Sequence, residues 1–499
     1  TLTLEQVRLV SYENFKIELT EEAIKKVIKC RKFVDKIIEE DRVVYGLTTG
    51  FGKFANIKID RKDIAILQKN LIESHATAVG PMFSSEESRA IALLRINVLA
   101  KGHSGIRLET LQTLIDMLNA GIHPLIPEKG SVGASGDLAQ LSHLALVLLG
   151  KGEAEYKGEI FAGDKALEKA GITPVVLQAK EGLALNNGTQ VMTAIGALAL
   201  LRAENLLKVA DVSAACTIDA LLRTDDPFHE LIHKLRPHAG QINSAKNIKN
   251  LLRDSRLRES HRECANVQDA YSLRCTSQVH GAVRDALKYV RTTIETEINS
   301  ATDNPLIFPD EKKVISGGNF HGEPVAFACD TLGFTIAELA SISERRQEQI
   351  FNPALNSGLN AFLAPNPGVD SGLMIAHLTS ASLVSENKVY AHPASVDSIP
   401  TSANQEDHVS MGTIGAVKAR NIVNNVAFVL GIEMMASAQA LDVRKIPSSV
   451  SIEAVKKEIR NNVKFITKDR IFKEDINKMK LLVDSSIFVE IVEKYIKLS

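Results

Sequence analysis

Apolar residues recur at steps of three and four positions through most of this sequence, which is the spacing of one face of an α-helix. Residues 20–40 repeat isoleucine and valine at these steps, and Thr20 with Glu22 marks a helix start. A second apolar face continues for about four turns along Val283, Leu287, Val290, Ile294 and Ile298. The sequence Asp303-Asn304-Pro305 then ends this helix, because proline removes a helical hydrogen bond and clashes with the preceding turn.

Two later stretches, 323–350 and 409–441, are similarly long, periodic and rich in small residues, and such helices pack closely into bundles. The Lys-rich tail at 451–499 predicts a helical cap, whereas short β-strands are expected around 152–163. Glycine and proline gather between these segments and predict loops at 45–52, 121–136, 182–188, 317–323 and 352–368. The pattern therefore favours a mainly α protein.

Composition narrows the class of protein. With 45% hydrophobic and 24% charged residues, the 499-residue chain is globular rather than disordered. Its net charge of −1 provides no basic field for nucleic acid or an anionic membrane. We expect no secretory signal, and the apolar run 191–201 stops at Arg202, short of membrane-spanning length. The cysteines are widely spaced without a CxxC pair and predict reduced thiols in a cytoplasmic protein: Cys30, Cys216, Cys264, Cys275 and Cys329.

One short motif suggests a metal site. His229, Glu230 and His233 fit H-E-x-x-H, which on a helix puts two imidazoles on one face. The next turn carries Arg236 and His238 instead of the glycine and the third histidine that a metzincin needs. We therefore expect no bound metal.

Two glycine-rich stretches, 46–52 and 130–136, raise the possibility of a phosphate-binding loop. Neither contains the Lys-Ser/Thr pair of a Walker sequence, and the strand–loop–helix unit of a dinucleotide fold is also missing. We therefore do not interpret them as nucleotide sites.

A run of small residues, Gly133-Ala134-Ser135-Gly136, leads directly into an apolar segment that ends at Gly150. Asp137 is placed to cap this helix, and Gln140 is placed to complete a capping box three residues on. This interpretation accounts for the helix but leaves the small residues before Asp137 unexplained.

Backbone cyclisation is a second interpretation of the same run. In a tight turn, the unhindered amide nitrogen of Gly136 could attack the carbonyl carbon of Ala134, while Ser135 loses its hydroxyl as water. The product would be a five-membered imidazolone with an exocyclic methylidene, an electrophile that no standard side chain provides. A helix N-terminus beside it would stabilise charge gained on nucleophilic attack.

A series of sequence blocks resembles the aromatic amino acid ammonia-lyase family, in the order found in that family and over most of the chain. The blocks are VYGLTTGFGKFA (44–55), LQKNLIESHATAVG (67–80), GSVGASGDLAQLSHLAL (130–146), EGLALNNGTQ (181–190), VQDAYSLRC (267–275), SGGNFHGEPVAFACD (316–330) and NQEDHVSMG (404–412). The resemblance implies that Ala134-Ser135-Gly136 matures autocatalytically into a methylidene-imidazolone group, without an external cofactor.

The resemblance also implies an architecture: a mainly α fold of the fumarase/aspartase-like superfamily with a long central helical bundle. We expect an N-terminal part at 1–200 that carries the prosthetic loop, a long-helix bundle at 201–450 and a C-terminal helical cap at 451–499. A homotetramer with active sites shared between subunits is implied, acting on a small amino acid and binding neither nucleic acid nor membrane.

Individual residues match positions with known roles in the family. Tyr45 matches the base that takes the β-proton, and Arg274 matches the residue that pairs with the substrate carboxylate. Tyr271, Gln268 and Asn187 match positions that hydrogen-bond the prosthetic group or the substrate, and Phe320 matches an apolar wall of the pocket.

Two further positions bear on the substrate. His75 and Glu406 match the polar end of the pocket in family members that act on histidine, where a carboxylate can accept an imidazole N–H. We therefore expect deamination of L-histidine to trans-urocanate and ammonia, the first step of histidine degradation. The departures from the family pattern are Gln140, where proline is common, and Asn186, which we expect to place a polar group near the pocket.

Alternatives remain open. Within the family the alternatives are a tyrosine or phenylalanine ammonia-lyase and a 2,3-aminomutase, and lid mobility separates a mutase from a lyase. A catalytically silent homologue on the same scaffold is the alternative from another class. It would tolerate losses among Tyr45, Ser135, Asn187, Arg274 and Glu406, all of which are present.

Overall fold

The computed structural model describes residues 1–262 and 267–499, and α-helices dominate it. In chain order the helices are α1 (Leu4–Tyr12), α2 (Glu21–Glu39), α3 (Ile64–His75), α4 (Ser85–Ala100), α5 (Leu108–Ala120), α6 (Leu138–Leu148), α7 (Gly163–Ala170), α8 (Glu181–Asn186), α9 (Gln190–Ala220), α10 (Glu230–Lys234), α11 (Ala239–Leu251), α12 (Arg256–Glu259), α13 (Tyr271–Arg274), α14 (Thr276–Glu297), α15 (Glu323–Phe351), α16 (Met374–Tyr390), α17 (Gly412–Arg444), α18 (Val450–Asn462), α19 (Phe472–Asp484) and α20 (Ile487–Glu493). The expected mainly α fold is confirmed.

Short antiparallel β-structure accompanies the helices. The strands are β1 (Val79–Met82), β2 (Ile122–Pro124), β3 (Pro127–Lys129), β4 (Glu153–Tyr156), β5 (Glu159–Ala162), β6 (Leu306–Phe308) and β7 (Lys313–Ile315). β1 pairs with β3, β2–β4–β5 form a three-stranded sheet with Glu153 opposite Ala162, and β6–β7 is a hairpin with Leu306 opposite Ile315. The β4–β5 hairpin confirms the strands predicted around 152–163.

Helix starts follow the sequence signals in several places. Thr20 precedes α2 and its hydroxyl accepts a hydrogen bond from the Ala23 amide at 3.3 Å. Ser84 and Glu87 form a complete capping box at the start of α4. These local side-chain contacts satisfy amides that the first helical turn leaves without partners.

The chain divides into two compact units. Unit 1 comprises 1–199, 291–330 and 393–417, and unit 2 comprises 200–290, 331–392 and 418–499. The division expected from the family resemblance, at about residues 200 and 450, stays a prediction.

Unit 1 is built around buried helices. Helices α3, α6 and α8 pack against one another, and α4 packs against α1, α2 and α5. The central residues of α4 are almost entirely buried, including Arg89 and Arg95. Loops at the ends of α3, α6 and α8 therefore come together on a rigid support.

Unit 2 contains a fully buried ion pair. Glu433 on α17 and Arg346 on α15 are fully buried, and Nε and Nη2 of the arginine donate to the two carboxylate oxygens at 2.6 and 2.9 Å. Burial opposes ionisation, but Arg346 with the Ser343 and Thr217 hydroxyls holds the pKa of Glu433 below its usual value. This two-point geometry fixes the relative register of the two helices.

By length and composition alone, α15 and α17 could cross a membrane. In the structure, 61% and 83% of their most apolar windows are buried inside the protein. Their apolar character is thus used in packing.

Candidate active site

The turn at Gly133-Ala134-Ser135-Gly136 is tightly constrained. Gly133 and Gly136 have φ angles of +70° and +73°, a conformation that side chains rarely adopt. A Cβ atom at Gly136 would overlap the Gly188 carbonyl, and one at Gly133 would overlap the Ser410 hydroxyl. Both glycines are therefore required by conformation and by space.

Ser135 and Gly136 have defined polar partners. The Asn187 side-chain amide donates to the Ser135 carbonyl oxygen at 3.0 Å, and the Ser131 hydroxyl donates to the Gly136 carbonyl at 3.2 Å. The Ser135 hydroxyl donates to Oε1 of Glu406 at 2.7 Å. The turn is thus held from both sides, with its serine facing a carboxylate.

Asp137 does not cap its own helix, so the predicted capping box is wrong. Asp137 occupies the position before α6, but its carboxylate makes no capping bond there. Its Oδ2 instead accepts from the Val191 and Met192 amides at 3.0 and 2.9 Å, in the first turn of α9. The start of a long helix attracts a carboxylate, because its free amides and its dipole both favour negative charge.

Other groups complete the surroundings of Asp137. The Ser131 and Thr413 hydroxyls donate to Oδ1, and the Asp137 amide donates to the Gly188 carbonyl at 2.7 Å. Burial raises the pKa of Asp137. The hydrogen bonds that its carboxylate accepts oppose this shift, and they come from Thr413, Met192, Ser131 and Val191. Gln140, the other half of the expected box, donates to the Glu128 carbonyl at 3.1 Å. Asp137 therefore joins the turn to the first turns of α9 and α17.

A cavity of about 1040 Å³ opens above the turn, and residues of unit 1 line it. Among the predicted site residues, those that line it are Tyr45, His75, Ala134, Ser135, Asn187, Phe320 and Glu406. Gly136 lies buried behind them. The structure thus brings together most of the proposed machinery from sequence positions more than three hundred residues apart.

Tyr45 lies in the loop that follows α2, where its hydroxyl oxygen accepts a hydrogen bond from the Gly52 amide at 3.2 Å. Gly46, next to it, has a φ of +71° and packs against Leu183. The glycine-rich loop therefore serves to turn the chain and present the phenol to the cavity.

His75 and Glu406 form the polar part of the lining. His75 ends α3, and its Nδ1 lies 3.0 Å from the Ser74 hydroxyl. Burial lowers the pKa of His75, with the Leu71 carbonyl and the charge of Glu406 opposing the shift. Oε2 of Glu406 accepts from the Thr401 and Ser402 hydroxyls at 2.9 and 2.8 Å, which orients the carboxylate.

Three predicted residues lie elsewhere. Gln268, Tyr271 and Arg274 belong to unit 2 and do not contribute to the lining of this cavity as the structure describes it. Gln268 and Tyr271 are exposed, and the Arg274 guanidinium lies 4.5 Å from the centre of the Tyr271 ring. The single chain therefore presents Gln268 and Tyr271 on a surface of unit 2, with Arg274 partly buried beside them.

Asn186 is fully buried and lies outside the cavity lining, so the expected polar group near the pocket is not found. Its Nδ2 donates to the Ser142 hydroxyl at 3.1 Å. This hydrogen bond joins α8 to α6. Asn187, the next residue, instead directs its side chain to Ser135 in the turn.

The H-E-x-x-H histidines have other partners. His229 precedes α10 and accepts from the Leu231 amide, while Nε2 and Nδ1 of His233 lie 3.1 and 2.9 Å from the Pro227 carbonyl and the Gln241 amide. Because α10 begins after His229, the two imidazoles do not share a helical face.

A different cluster escaped the sequence analysis. His321, Glu323 and His408 bring potential ligand atoms within 4.8 Å of one another, and the two rings stack with centroids 5.7 Å apart. His321 and His408 also line the cavity. Their sequence separation of more than eighty residues gave no spacing signal.

The helical scaffold places a constrained turn in one cavity with a phenol, an imidazole and a carboxylate, an arrangement typical of an enzyme. The sequence profile of the family described as aromatic amino acid lyase matches residues 2–461. The chain therefore belongs to the aromatic amino acid lyase family.

Individual relatives agree over the full length. A histidine ammonia-lyase from Alkaliphilus oremlandii is 54% identical over 498 residues, covering 100% of this chain and 98% of that protein. The crystal structure of histidine ammonia-lyase from Trypanosoma cruzi is 43% identical with a TM-score of 0.92, covering 99% and 94%. That of tyrosine aminomutase from Streptomyces globisporus is 37% identical with a TM-score of 0.93, covering 100% and 98%. The fold is that of the fumarase/aspartase-like helical lyases.

Proposed function

We propose that this protein is a histidine ammonia-lyase that converts L-histidine to trans-urocanate and ammonia, the first step of histidine degradation. One observation carries the proposal: the 2.7 Å contact between Ser135 and Glu406 joins the reactive turn to a carboxylate suited to an imidazole substrate. The relatives named above support the same activity.

The prosthetic group of this proposal is built from the chain itself. The Gly136 nitrogen bonds to the Ala134 carbonyl carbon, and the carbonyl oxygen leaves as water with the amide hydrogens of Gly136 and Ser135. Ser135 then loses its side-chain hydroxyl and its α-hydrogen as a second water. The residues present fit this reaction, because Gly136 has no side chain and adopts a φ of +73° that closes the turn. The methylidene-imidazolone so formed supplies an electrophile for the substrate, and no external cofactor is needed.

Asn187 holds the turn in place for this chemistry. Its amide donates to the Ser135 carbonyl oxygen, an atom that ring closure does not consume. The bond therefore fixes the position of this carbonyl both before and after maturation, and a donor aimed at this oxygen favours negative charge on it.

Tyr45 is the proposed base for the β-proton of the substrate. It faces the cavity from a loop whose Gly52 amide donates to the phenol oxygen. Phe320 supplies an apolar wall of the same cavity.

Substrate recognition follows from Glu406 and His75. When Ser135 loses its hydroxyl, Oε1 of Glu406 loses the donor it has in the unprocessed chain. Oε2 keeps the Thr401 and Ser402 hydroxyls, so the carboxylate stays oriented while Oε1 becomes available to a substrate imidazole N–H. His75, whose pKa burial lowers, adds a neutral imidazole to the same end of the cavity.

In this proposal a second subunit completes each active site with three residues: Gln268, Tyr271 and Arg274. The guanidinium of Arg274 suits the substrate carboxylate, and we place these three residues over the cavity of a neighbouring chain in a homotetramer. The exposed positions of Gln268 and Tyr271 on unit 2 of the single chain, with Arg274 partly buried beside them, support this arrangement. We propose a cytoplasmic location on the basis of the free cysteines among the described residues: Cys30, Cys216, Cys275 and Cys329.

A second candidate is a tyrosine or phenylalanine ammonia-lyase or an aminomutase. The similarity to the tyrosine aminomutase structure supports this second candidate. A mutase would return ammonia to the β-carbon, so its product would be a β-amino acid instead of an unsaturated acid.

Incubation of the purified protein with L-histidine, L-tyrosine and L-phenylalanine separates these candidates. We expect urocanate and equimolar ammonia from histidine, with much slower turnover of the other two. Absence of urocanate would refute the proposal. A β-amino acid product would favour the mutase, and no product from any substrate would favour a silent homologue.

A further inference from the structure

Arg95 is a buried residue of α4, and its side chain donates hydrogen bonds to the loop that carries Asn187. Its guanidinium is fully buried. Nη1 donates to the Asn187 carbonyl at 2.8 Å and to Oε1 of Gln190 at 2.6 Å, and Nη2 donates to the Ala184 carbonyl. One rigid, planar group thus binds both the end of α8 and the start of α9.

The loop fits closely against this guanidinium. A Cβ atom at Gly188 would lie 2.7 Å from Nη1 of Arg95 and would also crowd Gln190. On its other side, the Gly188 carbonyl accepts from the Asp137 amide at 2.7 Å. The loop is therefore clamped between Arg95 and the turn, and it has little freedom to shift.

The contacts continue without a break from Arg95 to the reactive residues. Arg95 holds the Asn187 carbonyl, and the Asn187 side chain donates to the Ser135 carbonyl oxygen at 3.0 Å. Arg95 itself does not line the cavity as described, so it has no direct access to a substrate there.

The positive charge of Arg95 strengthens its hydrogen bonds to the loop. Burial lowers the pKa of the guanidinium to about 10, with Asp303 opposing the shift, so the group remains charged at neutral pH. Asp303 in turn pairs with buried Lys180 at 2.9 Å. Hydrogen bonds from a charged donor to carbonyl oxygens are stronger than neutral ones, especially away from water.

We propose that Arg95 is a positioning residue that acts through Asn187 to align the Ala134-Ser135-Gly136 turn for ring closure, and that it sustains turnover by holding the same carbonyl afterwards. The inference rests on the proposed prosthetic group. It assigns a function in maturation to a residue that touches neither the turn nor the substrate cavity.

The same helix offers a matched control. Arg89 is also buried on α4, and it also donates to backbone carbonyls, from Nε to Val10 at 2.9 Å and from Nη1 to Leu118 at 3.1 Å. Those carbonyls belong to α1 and α5, and no hydrogen bond among the described residues joins them to the turn. Arg95→Lys and Arg89→Lys therefore remove the same planar group from comparable surroundings.

The test measures the mass of each intact, full-length chain together with its thermal unfolding. We expect wild type and Arg89→Lys to lack two water molecules. Arg95→Lys should remain folded but keep most of its chains at the full sequence mass, with ring closure slowed about 100-fold, as expected when a reacting group is misplaced by about 1 Å. Per matured chain, kcat should fall while KM changes less than about threefold, because Arg95 lies outside the cavity.

Each outcome decides the matter. Complete maturation and wild-type kcat in Arg95→Lys would overturn the proposal, as would equal maturation defects in Arg89→Lys and Arg95→Lys. If Arg95→Lys does not fold, Arg95→Gln, which keeps an amide donor, is measured by the same criteria. Wild-type chains at full mass would instead refute the prosthetic group itself, so the two failures are distinguishable.

Discussion

Under the proposed chemistry, Glu406 would change its hydrogen-bond partner as the protein matures. In the unprocessed turn its Oε1 accepts from Ser135, and the proposed chemistry removes that donor. The freed oxygen would then recognise the imidazole of the substrate, so the reaction that makes the electrophile would also complete the binding site.

Glu406→Gln tests this recognition. The amide has no charge to attract an imidazole N–H, and loss of a charged hydrogen bond should lower kcat/KM for L-histidine by about 10- to 100-fold. Asp407→Asn is the control: this neighbouring carboxylate is exposed at the same cavity but is not the one that Ser135 contacts, so its change should have a much smaller effect. Steady-state kinetics with both variants would contradict the assignment if the two losses were equal.

The role of a single residue can be predicted from sequence where the local backbone conformation determines it. Gly136 was expected in a tight turn, and its positive φ and its contact with Gly188 explain why. Asp137 was misassigned, because its partners lie at the start of α9, more than fifty residues away, and a local capping rule cannot include them. Arg95 gave no sequence signal for the same reason.

At the scale of elements, Asp137 joins two helices, and this gives a stability prediction. Asp137→Ala leaves buried donors at Val191, Met192, Ser131 and Thr413 without their acceptor. We expect a loss of about 3 kcal/mol in the free energy of unfolding. Denaturant unfolding measures it.

A local cap provides the comparison. Thr20→Ala removes one exposed capping bond from α2 and should cost about 1 kcal/mol. If Asp137→Ala costs no more than Thr20→Ala, the carboxylate does not hold α9 in the way described.

His143 on α6 gives a prediction for pH dependence. Burial lowers its pKa below the usual value of a histidine, so the folded chain resists protonation at this position. Below about pH 6.5 the unfolded chain binds a proton that the folded chain does not, and stability falls as pH decreases.

His143→Leu removes this contribution. The slope of unfolding free energy against pH between about 5 and 6.5 should become less positive than in wild type. Urea unfolding across that range measures the slope separately from any constant offset. An unchanged slope would show that His143 is not held neutral.

Elements were predictable to the extent that their signals are periodic. The helical spacing at 20–40 and the two long small-residue stretches correspond to α2, α15 and α17. The irregular loop that carries Tyr45 has no period, and its shape depends on packing against α8, so its sequence indicated only glycine-rich turns.

At the scale of the whole molecule, the proposed site needs two chains, and complementation tests this directly. Ser135→Ala lies in unit 1 and Arg274→Ala in unit 2. In randomly mixed tetramers of these inactive variants, about a quarter of the sites would combine two intact contributions, and activity should return to that extent.

The matched control mixes Ser135→Ala with Asn187→Ala. Both residues belong to unit 1, so every site would retain one defect and activity should not return. Recovery in both mixtures, or in neither, would contradict sites shared between subunits.

The whole site was predictable only through family resemblance. Residues 45, 75, 135, 187, 320 and 406 meet in one cavity, yet no spacing in the sequence relates them. The His321, Glu323 and His408 group was missed because its members are brought together by the fold alone.

The central claim is that the chain makes its own electrophile at Ala134-Ser135-Gly136, and the mass of the intact protein tests it most directly. We predict that the purified, active 54.4 kDa chain is lighter than its sequence by two water molecules. Ser135→Ala should fold with the wild-type thermal transition, should not lose both waters, and should lose several powers of ten in activity, each about 1.4 kcal/mol. An active wild-type chain at its full sequence mass would contradict the account.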